Sequence, residues 1–175
     1  MSIRITGLRK VYNNLARVTL AVNRQSKSIP AECAFEYVQL VKQKIISQDF
    51  NFIPLRPAYA AWKKKHFPHA RTFWHLSGDL HKAVQVIQIG AKEFAGTVPA
   101  SIMDSGRKSY ARNTSTSILK YAMALENGAT WTQNGRTRKI PPRPLFWPTA
   151  VEYEVKQMPT HFDKALREIG KGWRK

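Results

Sequence analysis

Along the first part of the chain, apolar residues return at steps of three and four. Leu8, Val11, Tyr12, Leu15, Val18 and Leu20 set the period of an amphipathic helix and predict one from residue 7 to about 24. Ile29-Pro30 interrupts the pattern. Ala34, Tyr37, Val38, Val41 and Ile45 resume it as far as Ser47, predicting a second helix or a kinked continuation with Pro30 in its first turn. Glu32, Glu36, Gln39 and Gln43 share the opposite side, while Phe35, Leu40 and Ile46 widen the apolar one, as in a half-buried helix.

Residues 49–75 change character. Pro54, Pro57 and Pro68 separate a dense set of aromatics, among them Tyr59, Trp62, Phe67 and Trp74. A segment this aromatic packs on something rather than serving as a linker, and within it Pro57 to Lys65 reads as a short helix starting at a proline. A turn at Ser77-Gly78-Asp79 then leads to the β-branched run from Val84 to Ile89. A return strand is expected from Glu93 to Pro99, across a turn at Gly90 to Lys92. Residues 101–117 are polar and expected to form a long exposed loop. Ile118 to Glu126 is helix-capable and stops at Asn127-Gly128. Asn134-Gly135 signals a second hairpin. Pro141, Pro142, Pro144 and Pro148 exclude a central strand or helix interior, and Thr149 to about Ile169 is expected to form a last helix despite Pro159. The sum is an α+β fold with N-terminal helices, a small antiparallel sheet of hairpins and a C-terminal helix.

Composition narrows the class. With 175 residues and 43% hydrophobic content, the chain suffices for one core, so residues 1–175 are expected to form a single domain. The lone Cys33 excludes a disulfide framework, and no apolar run approaches the roughly 18 residues of a spanning helix, so no membrane partner is expected. The start of the chain lacks the apolar block of a secretory signal; its acid-free stretch before Glu32 also fits a transit peptide, the less favoured expectation. Charge is the largest anomaly: 29 basic against 11 acidic residues give +18, dispersed along the chain. Such a protein seeks anions, whether nucleic acid, acidic proteins or an anionic surface.

Enzyme chemistry finds little footing. Glu152/Glu154 and Glu32/Glu36 lie on expected helices and read as solvated or ion-paired rather than as an acid-base pair. His66, His69, His75 and His81 have no cysteine or acidic partner at metal-ligand spacing among basic neighbours, so no metal or other cofactor is expected. Cys33 reads as a small core residue, and the glycines are too isolated to cradle a phosphate. Cations beside aromatics, at Trp62-Lys63-Lys64-Lys65 and near Arg136, Arg138 and Lys139, are the anion-facing candidates. Their bland alternative is a solvated rim around core aromatics. Arg138 to Pro144 also carries the spacing of a proline-rich peptide ligand, although the adjoining Leu145-Phe146-Trp147 favours a buried extended segment.

One family resemblance emerges from three local signals. Tyr121-Ala122-x-x-Leu125-Glu126-x-Gly128, followed by Ile140-Pro141-Pro142-Arg143-Pro144-Leu145-Phe146-x-Pro148, resembles the paired motif of phage tail-completion or virion-morphogenesis proteins. Leu55-x-Pro57-x-Tyr59-x-x-Trp62-Lys63 with Leu76-x-Gly78-x-Leu80 is similar to that family's upstream element. The likeness spans about residues 53–169; segments 66–75 and 101–117 have no counterpart in it. It implies a non-enzymatic structural protein of the virion, assembled in the host cytoplasm, whose copies form a ring, expected to be a hexamer, in the neck or tail. The implied partners are portal-adaptor and tail-tube or tail-terminator proteins, which the ring would join by docking. Gly78, Leu80, Tyr121, Glu126, Gly128, Pro141, Pro142, Arg143 and Pro144 would then be structural or interaction residues, with Glu126 capping a helix or pairing with Arg143. Six copies would carry on the order of +100, enough for non-specific contact with genomic DNA. A basic nucleic-acid-binding protein is the alternative that charge alone suggests.

Overall fold

A computed structural model describes residues 8–48, 51–66, 78–100, 118–133 and 135–174. The polar loop 101–117, the aromatic stretch after His66 with His69 and His75, and Asn134 lie outside them. The described elements are α1 (Leu8–Ser47), α2 (Pro57–His66), α3 (Asp79–Ala83), β1 (Gln85–Gly90), β2 (Glu93–Thr97), α4 (Ile118–Asn127), β3 (Ala129–Gln133), β4 (Arg136–Ile140), α5 (Phe146–Lys156) and α6 (Met158–Arg174). The class is α+β and mostly helical.

Of the two outcomes expected after Pro30, a second helix or a kinked continuation, the chain takes continuation: α1 runs through it as one helix. Pro30 lies inside α1, where it removes one backbone hydrogen bond at a typical cost of about 3 kcal/mol. Burial beyond it offsets that loss: Val38, Val41 and Ile45 are buried on one face of α1, each such side chain contributing about 1.5–3 kcal/mol. The helix ends where Gln48 takes a left-handed conformation (φ 58°) and its N–H reaches back to the Lys44 carbonyl at 3.0 Å.

Around these three residues the core gathers Leu80 and Ala83 from α3, Val84 and Val98 flanking the first hairpin, Ile118, Ala122 and Leu125 from α4, and Leu145. Both expected hairpins form, but as separate two-stranded sheets, β1-β2 and β3-β4, rather than one. In the first, Gly90 pairs with Glu93 across Ala91-Lys92. β2 crosses α1 so closely that a Cβ on Gly96 would sit 2.5 Å from the Tyr37 ring and 2.8 Å from Val38, so only glycine fits. The second closes around Gly135 (φ 69°), with Ala129 opposite Ile140.

The single last helix expected from Thr149 is instead two. α5 starts three residues earlier at Phe146 and ends at Lys156, with Gln157 as its cap; α6 begins at Met158. The prolines explain both boundaries: Pro148 and Pro159 each fall in the first turn of a helix, where an N–H is not required. α5 lies on α1 through the Lys44–Glu152 ion pair and an edge-to-face contact between Tyr37 and Tyr153, ring centres 6.3 Å apart. Lys44 and then Lys156 hold the Glu152 carboxyl down to about 2. α6 runs back along α1. His161 Nε2 meets Glu36 at 2.8 Å near its start, and Asn14 donates to the Trp173 carbonyl at 3.3 Å near its end. Cys33 is buried beside Tyr153, as a core residue. No helix among the described residues is long and apolar enough to cross a membrane.

Gly96→Ala is expected to lower stability by about 1–3 kcal/mol, because the added methyl collides with a tyrosine ring already fixed in place. Thermal unfolding followed by circular dichroism measures it as a drop of several degrees in Tm.

Candidate functional site

The motif residues converge on one junction, where α4 ends and α5 begins. α4 stops because Gly128 adopts φ 76°, and the position is doubly demanding: a Cβ there would lie 3.0 Å from the Ile140 carbonyl and 3.0 Å from Pro142 Cδ. The β3-β4 hairpin returns the chain to this spot, so Pro141–Pro144 runs extended beside the end of α4. Its anchor is the Arg143 N–H, which donates to the Leu125 carbonyl at 2.7 Å and so satisfies one of the carbonyls left over at the end of α4.

α5 then starts without a capping side chain, since the residue before it is Leu145. Glu126 supplies the cap from nineteen positions upstream. Its Oε2 accepts the Leu145 N–H at 2.7 Å and the Phe146 N–H at 3.1 Å, and its Oε1 accepts the Trp147 N–H at 3.1 Å. The next residue is Pro148, which has no N–H, so one carboxylate meets every donor at this helix start. A negative charge there is also favoured by the helix dipole. Of the two roles expected for Glu126, capping is the one the geometry supplies.

Tyr37 of α1 closes the junction by donating its hydroxyl to the Phe146 carbonyl at 3.1 Å. Burial, and then the nearby Glu126 charge, push the Tyr37 phenol up to about 12, so it remains a neutral donor. The polar chemistry of this cluster is thereby committed to backbone groups: it ties α4, the proline segment, α5 and α1 together.

On the other side of the proline segment lies a second cluster. Arg143 and Lys63 are each only 7% exposed. Burial lowers the Arg143 guanidinium, while the Tyr121 and Tyr59 phenols support its charge. Lys63 is brought down to about 8, by burial first and by the Arg143 charge second. Lys63 therefore departs from the expectation of an anion-facing surface lysine: it is buried on α2, the helix that also carries Tyr59 stacked on Trp62 and Trp62 against His66. Lys64 and Lys65 are exposed, as are Arg136, Arg138 and Lys139 along β4. Pro142 and Pro144 are exposed while Arg143 and Leu145 are buried, which matches a packed extended segment better than a displayed peptide. Leu80 sits in the core, and Gly78 (φ 86°) precedes α3.

Sequence reasoning missed His161, which is buried between Glu36 and Glu32, the latter 3.7 Å from its Nδ1. The spacing Glu32-x-x-x-Glu36 marked one helix face, but nothing in it named the helix that would lie there. Among the described residues no group of three His, Cys, Asp or Glu is arranged to hold a metal ion.

Glu126→Ala should cost about 1–3 kcal/mol, since three N–H groups lose their acceptor, whereas Glu126→Gln should retain part of that. Chemical denaturation of both variants checks the order. Lys63→Met should raise stability at neutral pH by removing a buried charge. Because the folded-state pKa of Lys63 is depressed, wild-type stability rises from about pH 8 towards 10.5, and the advantage of the variant should shrink over that window. Comparison of the chain with protein-family models, with curated proteins and with solved structures finds no match.

Proposed function

We propose that this chain is a non-enzymatic structural protein of a tailed-phage neck or tail, a completion component whose copies form a ring between the head connector and the tail. One observation supports this best: the paired motif that resembles the tail-completion family folds into a single junction whose polar groups are spent on holding secondary elements together. Glu126 accepts three backbone N–H groups, Gly128 makes the turn, and Arg143 pins the proline segment through its own N–H. Residues with such duties define a shape, and a docking protein acts through its shape.

The mechanism is surface complementarity, with portal-adaptor protein on one side of the ring and tail-tube or terminator protein on the other. The exposed cations of β4 and the total of +18 suit a ring around DNA, held near phosphates without reading bases. The same cations favour a second reading, a basic nucleic-acid-binding protein working as a monomer or dimer.

Electron microscopy of the purified full-length protein tests the proposal, with closed rings, or incorporation into particles, as the expected result. Tight DNA binding by a small species, with affinity falling steeply as salt rises, would favour the second reading instead.

A further inference from the structure

The half of α1 that precedes Pro30 carries none of the helix's buried residues, and α6 packs along it, so the two form an antiparallel arm. The seam between them is set by Asn14, which donates to the Trp173 carbonyl, and by Gln25, Ser28 and Glu32, which share a groove with His161 and Ala165. At about 100° per residue, Leu8, Val11, Leu15 and Val22 fall about 60–120° round α1 from that seam. Phe162, Leu166 and Trp173 fall about 100–140° round α6 from the His161 line. Since the helices run in opposite directions, the two offsets turn to the same side of the arm. That side is open: Leu15 is 51% exposed, Leu166 65% and Trp173 54%. The charges of α6 are on the other side, where Lys164, Arg167 and Lys171 line a polar groove with Asp163 and Glu168.

We propose that a second copy of this chain covers the apolar side of the arm, so that two arms stack into a four-helix bundle. Area supports this occupant. From Asn14, level with the end of α6, to Ile29 the two-helix face runs about 22 Å at 1.5 Å per residue. Two helices are about 20 Å wide, giving about 450 Å² per copy, the size of a weak and reversible interface. Charge supports it too. On the apolar side the flanking α1 residues are Thr19, Asn23 and Ser26, all uncharged, so nucleic acid or an anionic membrane would find its cations on the opposite side. Stacking two such layers leaves the charged faces about 20 Å apart, beyond the ~8 Å Debye length at physiological salt, and so tolerates +18 on each copy. The inference does not rest on the neck-protein reading, because self-association through this face is measurable whatever the ring does.

Sedimentation equilibrium of the full-length chain over a concentration series provides the test, alongside Leu15→Glu/Leu166→Glu. Wild type should self-associate, and the double variant should weaken association more than tenfold with its helical circular dichroism retained. As an independent readout, Ser26→Cys at the edge of the face should give cross-linked pairs with a short bismaleimide, whereas Lys171→Cys on the charged side should not; native Cys33 is buried and silent. If the double variant fails to fold, the two cysteine variants decide. A wild type monomeric at every concentration overturns the proposal, as does association indifferent to the double substitution, or a substitution that removes binding to anionic vesicles while the mass stays unchanged. Rings that persist in the double variant with every larger species also unchanged would sink this inference and leave the neck-protein reading standing.

Discussion

The body of this protein depends on one carboxylate being held at the start of a helix that cannot cap itself. Glu126 closes α4 and, by accepting from Leu145, Phe146 and Trp147, opens α5. Without it, three N–H groups at a partly buried helix start would need water, and the path from the second hairpin into α5 would lose its fixed direction. Other features follow from that placement. Gly128 must be glycine for the hairpin to return so tightly, the prolines must follow for the segment to stay extended, and Tyr37 can then reach the Phe146 carbonyl and bind the junction to α1.

Two charge arrangements flank this hub and differ in kind. Lys44, Glu152 and Lys156 form a partly solvated chain between α1 and α5, inexpensive to make and modest in worth. Lys63 and Arg143 are buried cations placed near one another, and burial works against the charge of each. In a chain of +18, placing two cations inside also removes them from the surface that meets other molecules.

Much of the architecture was legible in the order of residues, wherever local chemistry decided the outcome. Asn127-Gly128 ends a helix, Gly135 lies in the turn of a hairpin, Pro57 opens a helix, and the β-branched run after Val84 is a strand. Where distant contacts decided, it was not. Local cost leaves Pro30 open between a helix boundary and a continuation, and the burial of Val38, Val41 and Ile45 decides for continuation. Pro159 was tolerated in a helix interior when it in fact marks the first turn of another helix. At the junction, sequence leaves Glu126 with two roles, capping a helix or pairing with Arg143, because the clue to its partner is an absence: a helix start of Leu-Phe-Trp with no oxygen to cap it. The burial of Lys63 had no local signature at all.

Pro30 leaves the Ser26 carbonyl without its rung in the ladder of α1, at the point where the anchored half of the helix gives way to the arm. α6 spans that gap: it meets α1 at Asn14 on one side of Pro30 and at Glu36 on the other, so a second helix splints the place where the first lacks a rung.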